Sequence, residues 1–312
     1  MGNKISILIP VYNEEKTLHM LYERLKRVSE KMDYDFEFLF INDGSKDRSL
    51  DIMRELRQKD SRVSYLNLSR NYGKEIAMAA GFDYVVGDAI IIMDADLQDP
   101  PELIPRMVSY WEEGYDDVYA KRRNRAGESW FKKKTSYWFY RILKKLSKIE
   151  IQEDTGDFRL LSRRAVEAIK KIKEHHRYTK GFFSWIGFNK KEILFDREPR
   201  AAGKTKWNYY KLLELAVEGI ISFSAAPLRI STVIGFMIAM FSFIYMIYVI
   251  MKTLLFGDPV AGYPSLVSLI LFLSGIQFII LGVIGEYLGR VFNETKNRPL
   301  YFAEEYNNKK IM

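Results

Sequence analysis

The chain has 312 residues, 48% of them hydrophobic, a formal net charge of +8, three His and no Cys. That length exceeds one typical domain and can bury a large core. Absence of Cys excludes a disulfide framework, a thiolate metal site and a Cys nucleophile, and three His leave little room for an imidazole zinc site or a Ser-His-Asp triad.

Residues 4–125 alternate between apolar runs and helical spacing. Lys4–Val11 reads as a first strand. Glu14–Lys31 reads as a helix through Leu18, Leu21, Leu25 and Val28, and Phe36–Ile41 as a second strand. A helix over Lys46–Lys59, a strand at Val63–Leu68 and a helix over Lys74–Val85 follow. Ala89–Met93 is a fourth strand, Pro101–Glu113 a helix and Asp117–Ala120 a short strand. This alternation predicts an α/β, doubly wound, mostly parallel sheet. Met1–Ser6 matches an N-myristoylation pattern but reads as the lead-in to strand one, and the short apolar run Ile5–Val11 is no signal peptide.

Ligands of such sheets bind beyond the carboxyl ends of the strands. Three polar clusters fall there: Pro10-Val11-Tyr12-Asn13-Glu14-Glu15, Asn42-Asp43-Gly44-Ser45-Lys46-Asp47 and Asp94-Ala95-Asp96-Leu97-Gln98. Residues i and i+2 of a strand point the same way, so Asp94 and Asp96 project together, and Gln98 joins them if the chain stays extended. Paired hard oxygen anions suit a Mg2+ or Mn2+ that also holds a diphosphate. An acidic turn capping the next helix is the plainer alternative. Asp43, after strand two, is placed to accept hydrogen bonds from a ribose or a base edge. No Gly-x-Gly-x-x-Gly follows strand one and no P-loop pattern exists, which disfavours dinucleotide oxidoreduction and P-loop hydrolysis.

These three clusters, in this order, resemble glycosyltransferase family 2 with its GT-A fold. The resemblance is strongest to the branch that uses polyprenyl phosphates, and it extends to Glu286–Arg290 and Arg298–Tyr301. It implies an inverting transfer of one sugar from a nucleotide diphosphate sugar, UDP-glucose first among them, to a polyprenyl phosphate. N-acetylglucosamine, mannose or an aminoarabinose are alternative sugars. By this resemblance Pro10, Tyr12, Glu14 and Asp43 line the nucleotide pocket. Asp94 and Asp96 contact the donor, and with Gln98 they hold the divalent cation. An Asp entering an apolar strand is the usual candidate base, which here is Asp157.

From Lys121 to Lys148 eleven Lys/Arg face one acid, Glu128. Phe131, Trp138, Ile142, Leu146 and Ile149 make one stripe of a helix of about 128–148 whose other face is basic. Such a helix suits a lipid headgroup layer, a solvated charged helix is the plainer alternative, and nucleic acid is not expected as a partner. Arg122, Arg125, Lys132 and Ser136 are assigned to the acceptor phosphate or donor diphosphate. Arg200 and Lys206 join them from the loop Arg200-Ala201-Ala202-Gly203-Lys204-Thr205-Lys206-Trp207, which is similar to the family's acceptor loop with Thr and Trp in place of Ser and Tyr.

Ile230–Met251 and Pro259–Gly285 are uncharged over 22 and 27 residues, long enough for two membrane spans. Lys/Arg-dense flanks before Arg229 and after Arg290 place both ends in the cytoplasm of a plasma (inner) membrane protein. The chain thus divides into a catalytic domain at 1–205, a juxtamembrane amphipathic helix at 206–228, two transmembrane helices at 229–290 and a cytoplasmic tail at 291–312. Gly285 and Gly289 permit close helix packing and a homo-oligomer. The rival classes are a processive polysaccharide synthase, whose Gln-x-x-Arg-Trp motif is missing, and a non-catalytic membrane scaffold.

Overall fold

A computed structural model describes residues 4–123, 155–175, 177–196, 226–256 and 262–311. Its elements in chain order are β1 Lys4–Val11, α1 Leu18–Ser29, β2 Asp35–Asn42, α2 Ser49–Lys59, β3 Val63–Leu68, α3 Lys74–Tyr84 and β4 Ala89–Ile92. A 3-10 turn at Pro101–Leu103 leads into α4 Ile104–Glu112, then β5 Asp117–Arg122, β6 Thr155–Ser162, α5 Arg163–Lys170, α6 Thr179–Trp185 and β7 Lys190–Phe195. Two long helices follow, α7 Ala226–Phe256 and α8 Tyr263–Thr295, and then β8 Ala303–Tyr306 and β9 Lys309–Lys310. The basic helix of 128–148, the loop of 197–207, most of the juxtamembrane helix and His176 lie outside the described residues.

The sheet has nine strands in the order β7-β5-β6-β4-β1-β2-β3-β8-β9. Its centre is parallel: β1 pairs with β2 and β4, and β2 with β3. These strands are apolar on both faces because helices cover both. Ile5, Ile7 and Ile9 of β1 pack with Leu21 and Leu25 of α1, Met53 of α2 and Met107 of α4. Leu8 turns to the opposite layer, with Ala77 and Met78 of α3, Val166 of α5 and Phe183 of α6. Gly81 lets α3 approach closely: a Cβ there would stand 2.1 Å from Leu8 Cδ1.

The expectation of a mostly parallel sheet is corrected. β4–β6, β5–β6, β3–β8 and β8–β9 are antiparallel, which equals the number of parallel pairings. The parallel part is the part where strands alternate with helices. Beyond it, β6 re-enters beside β4 from the opposite direction, and the chain's end returns to cover the β3 edge. Such coverage removes an open ladder that would otherwise recruit another chain. The tail at 291–312 is therefore partly a strand of the catalytic sheet. It is tied there by Arg54 Nη2–Glu305 Oε2 at 2.5 Å and by the Tyr65 hydroxyl, which donates to Glu305.

Among the described residues one helical stretch, Phe272–Thr295 of α8, is long and apolar enough to cross a membrane. In α7 the qualifying apolar stretch, Ile230–Tyr245, is shorter. Phe236, Phe241, Phe272 and Phe278 are exposed along these two helices.

Candidate active site

The loops after β1 and β2 are laced together at the carboxyl rim. Asn13, left-handed at φ 56°, takes Ser45 Oγ as acceptor for its N–H at 3.0 Å and accepts the Lys46 N–H at 2.8 Å. The Glu14 N–H donates to Ser49 Oγ at 2.9 Å, and the Glu15 N–H to Asp47 Oδ2 at 3.1 Å. Pro10, Tyr12 and Glu14 are all part-exposed on this rim, as a ligand wall requires.

Asp43 is buried, and both of its carboxylate oxygens accept hydrogen bonds. Its Oδ1 accepts the Tyr72 N–H at 2.7 Å, and its Oδ2 accepts the Gly73 N–H at 3.0 Å and Asn71 Nδ2 at 3.1 Å. Burial pushes its carboxyl above the usual range, against these donors. Gly44 presses on the same loop at φ +62°, and a Cβ there would lie 2.5 Å from the Arg70 carbonyl carbon. The carboxylate thus clamps the segment between β3 and α3, a role the sequence reading missed.

β4 ends at Ile92, and the chain does not stay extended through Gln98, the condition under which Gln98 would point with Asp94 and Asp96. Leu97 is left-handed at φ 62°, and the Gln98 N–H folds back onto Asp96 Oδ1 at 3.1 Å. An L-residue there costs roughly 1–2 kcal/mol, and burial of the Leu97 side chain offsets it. Asp96 is buried beneath this turn, and Asp94 is part-exposed at its mouth. The Asp94 N–H donates to Asp99 Oδ2 at 3.2 Å. Burial, and then the negative charge of Asp94, push Asp99 up to about 7.

Asp157 arrives from the other direction. The antiparallel register sets Ile92 against Arg159. Continued by two residues past the end of β4, that register carries Asp157 to the level of Asp94. Lys74, the first residue of α3, lies between them: its Nζ is 2.5 Å from Asp94 Oδ1 and 2.5 Å from Asp157 Oδ2. Burial alone would lower this ammonium, but Asp157 and Asp94 hold it well above its ordinary value. Burial alone would raise Asp157, but Lys74 and Lys180 hold its carboxyl well below the usual range. Its second oxygen, Oδ1, is buried without a hydrogen-bond partner among the described residues. Glu75, next along α3, accepts the Thr179 N–H at 3.1 Å, and burial and Asp157 push it upward. Lys74, Glu75 and Asp99 were not singled out from the sequence. A Lys at a helix start after a strand end was the available signal for the first.

Behind the rim, Arg159 is fully buried, with Nη1 3.0 Å from Asp117 Oδ2 and its guanidinium 3.8 Å from the Phe183 ring centre. Arg122 stands at the end of β5, beside Phe195 of β7. Arg125, Lys132, Ser136, Arg200 and Lys206 lie outside the described residues. His175 is half-buried, and its N–H donates to Glu294 Oε1 at 2.8 Å.

Comparison with known proteins bears on this rim directly. The family model "Glycosyl transferase family 2" matches residues 6–170, more than half of the chain, with Asp43, Lys74, Asp94, Asp96 and Asp157 all inside the match. The chain belongs to glycosyltransferase family 2. A second model, "GtrB C-terminal hairpin", matches residues 226–291, which hold α7 and α8. An uncharacterised glycosyltransferase of Synechocystis sp. is 50% identical over 305 residues, 98% of this chain and 96% of that one. A prophage bactoprenol glucosyl transferase homolog of Escherichia coli K12 is 48% identical, covering 96% and 98%. The bactoprenol glucosyl transferase of Shigella phage SfX is 47% identical, covering 96% and 99%. The α/β mixed sheet is thus a GT-A-like fold, and the protein is a glycosyltransferase.

The donor set also bears on a cation. Among the described residues no group of three or more His, Cys, Asp or Glu forms a cage for a metal ion. Mg2+ is commonly held by one or two carboxylates plus substrate phosphates and water, not by an all-protein cage. Asp94, part-exposed at the mouth of the turn, and Asp96, buried two residues on, are hard oxygen donors that fit that mode.

Proposed function

We propose that this family 2 glycosyltransferase moves one sugar, with inversion, from UDP-glucose to a polyprenyl phosphate at the cytoplasmic face of a membrane. The observation that carries the reading is the Asp94–Lys74–Asp157 chain at the strand ends, where two carboxylates meet over one ammonium. The names of the Shigella phage and E. coli relatives support the acceptor class.

A phosphate monoester has its second pKa near 6, so the acceptor is mostly a dianion at neutral pH. Its oxygen attacks the sugar's C1, the bond from C1 to the donor's phosphate oxygen breaks, and the nucleoside diphosphate leaves. No proton need be removed from the nucleophile. The difficulty is to bring two polyanions together. A divalent cation on Asp94 and Asp96, with Gln98 adjacent, would supply charge stabilisation to the leaving diphosphate. Lys74 orients Asp94 and Asp157 and keeps Asp157 ionised. Asp157 then positions the reacting groups through its unpartnered Oδ1. Asp43 holds the Arg70–Gly73 loop as a wall of the nucleotide pocket, opposite Pro10, Tyr12 and Glu14. Arg122, Arg125, Lys132, Ser136, Arg200 and Lys206 would receive the acceptor phosphate or the donor diphosphate.

In this reading α7 and α8 both span the bilayer, since 31 and 33 residues exceed the roughly 20 that a span needs. Incubation of the purified protein with radiolabelled UDP-glucose, undecaprenyl phosphate and Mn2+ or Mg2+ tests it. Label in a single-sugar lipid, abolished by a chelator, is expected. Polymer would indicate a processive synthase, and no transfer from a panel of nucleotide sugars would end the proposal.

A further inference from the structure

A cavity whose lining includes none of the rim carboxylates adjoins the loop after β3. It has a volume of about 760 Å3 and is walled by the Ser69–Tyr72 loop on one side and by the end of α8 with Lys296–Phe302 on the other. The volume lies within the range of about 300–1,000 Å3 common for small-molecule sites. The frame is tied at both ends. The Ser69 N–H donates to the Phe302 carbonyl at 3.0 Å, and the Tyr301 hydroxyl donates to Asp83 Oδ2 at 3.0 Å.

The lining is cationic: Arg70, Lys296 and Arg298 share it with His175. Among the described residues none of the first three has a carboxylate oxygen within 4.0 Å, although the charge of Arg70 acts on Asp43 and the chain is rich in close ion pairs elsewhere. Arg70 lies over the Tyr72 ring at 4.3 Å and Lys296 over the Phe292 ring at 3.8 Å. The acid at this end of α8, Glu294, accepts the His175 N–H. Three like charges around one cavity repel unless an anion sits among them. A guanidinium's planar fork and an ammonium's point charge both match phosphate oxygens.

Position narrows the source. Lys296 directly follows Phe272–Thr295, the stretch long and apolar enough to span a membrane. Basic side chains just past the end of a span lie at the depth of the lipid phosphates. We propose that this cavity is a binding site for the phosphodiester headgroup of an anionic lipid, held by Arg70, Lys296 and Arg298. The proposal rests on the reading of α8 as a span. Arg70 and Tyr72 belong to the loop whose next amides hold Asp43, so the headgroup would brace one wall of the donor pocket from outside.

The full-length protein in neutral detergent is titrated with short-chain phosphatidylglycerol, phosphatidylcholine, undecaprenyl phosphate and inorganic phosphate, with bound ligand read by native mass spectrometry. Saturable phosphatidylglycerol binding is expected, with phosphatidylcholine and inorganic phosphate far weaker. The triple variant Arg70→Gln/Lys296→Gln/Arg298→Gln should weaken it about a hundredfold and each single change roughly fivefold. Lys59→Gln, exposed at the far end of α2, should leave it unchanged. The single changes keep the test readable if the triple variant does not fold. Undiminished binding by the variants, or equal binding of phosphatidylcholine, would overturn the site. Inorganic phosphate binding as tightly would overturn the lipid source, and tighter competition by undecaprenyl phosphate would give the cavity to the acceptor. Sugar transfer, assayed separately, reports on the reaction alone. Headgroup binding without transfer refutes the function and keeps the site, and transfer without headgroup binding does the reverse.

Discussion

Lys74 and Asp157, 83 positions apart in sequence, meet at 2.5 Å because antiparallel β6 enters the rim where α3 begins. The same ammonium touches Asp94, so one cation at a helix start ties the proposed metal carboxylate to the proposed positioning carboxylate. The positive end of the α3 dipole adds to it.

Removing that cation should move the reaction's acid limb. Asp157 must be ionised to work, and its folded pKa is depressed, so in the wild type the acid limb is set by the acceptor phosphate, whose second pKa is near 6, and not by Asp157. In Lys74→Met the burial of Asp157 is no longer opposed by its nearest cation. In that variant an acid limb of the kcat/KM profile above the acceptor phosphate's own should appear as the Asp157 pKa rises, while Lys74→Arg leaves the wild-type limb. A profile unchanged in Lys74→Met would mean that Lys74 does not govern Asp157.

Asp43 should behave as a clamp. Asp43→Asn replaces one acceptor with an amide that faces the Tyr72 or Gly73 N–H. The loss of a charge-assisted bond of this kind costs about 1.5–3 kcal/mol. Hydrogen exchange should quicken at Tyr72 and Gly73 and stay unchanged in α4, on the opposite face of the sheet. Equal protection in both proteins would refute the clamp.

Arg159 and Asp117 are a fully buried pair. Arg159→Met leaves Asp117 uncompensated and should cost about 3–5 kcal/mol in unfolding free energy. Burial already raises the Asp117 pKa against the pull of Arg159, and the variant raises it further. A carboxyl with a raised folded pKa favours the native state at low pH, and that advantage disappears as pH rises through the folded pKa. The variant's deficit should therefore grow from acid toward neutral pH. Arg159→Met/Asp117→Asn should recover most of it, and denaturant melts at several pH values decide the matter.

The tail should contribute modestly and with the opposite pH sign. Arg54 holds Glu305 below the usual carboxylate range, against some burial. That contribution is present above the unfolded glutamate pKa and is lost as pH falls through the folded one. Glu305→Gln should cost about 0.5–1 kcal/mol at pH 7, discounted because Arg54 is part-exposed, and almost nothing in strong acid. An equal cost at both extremes would place the stabilisation in packing and not in charge.

What the sequence determined on its own was local and periodic. The apolar runs of β1 to β4 and the helical spacing between them specify a parallel core, and Val63–Leu68 was placed to the residue. The rule that ligands sit beyond strand ends gathered Glu14, Asp43, Asp94 and Asp96 on one rim. The basic run and the long uncharged stretches pointed to a membrane and an anionic acceptor. The tertiary structure decided everything that depends on strand direction and on partners distant in sequence. Periodicity is blind to direction, so nothing local showed that β6 runs antiparallel to β4 and carries Asp157 opposite Asp94. A turn at Leu97 cannot be read from an apolar run that stops at Met93, and so whether Gln98 continues in line with Asp94 and Asp96 stayed conditional until the fold-back was seen. The hydrogen bonds of Asp43 come from residues 28 to 30 positions later. Lys74 shows its role only once three elements converge, because a lysine's meaning lies in the carboxylates around it.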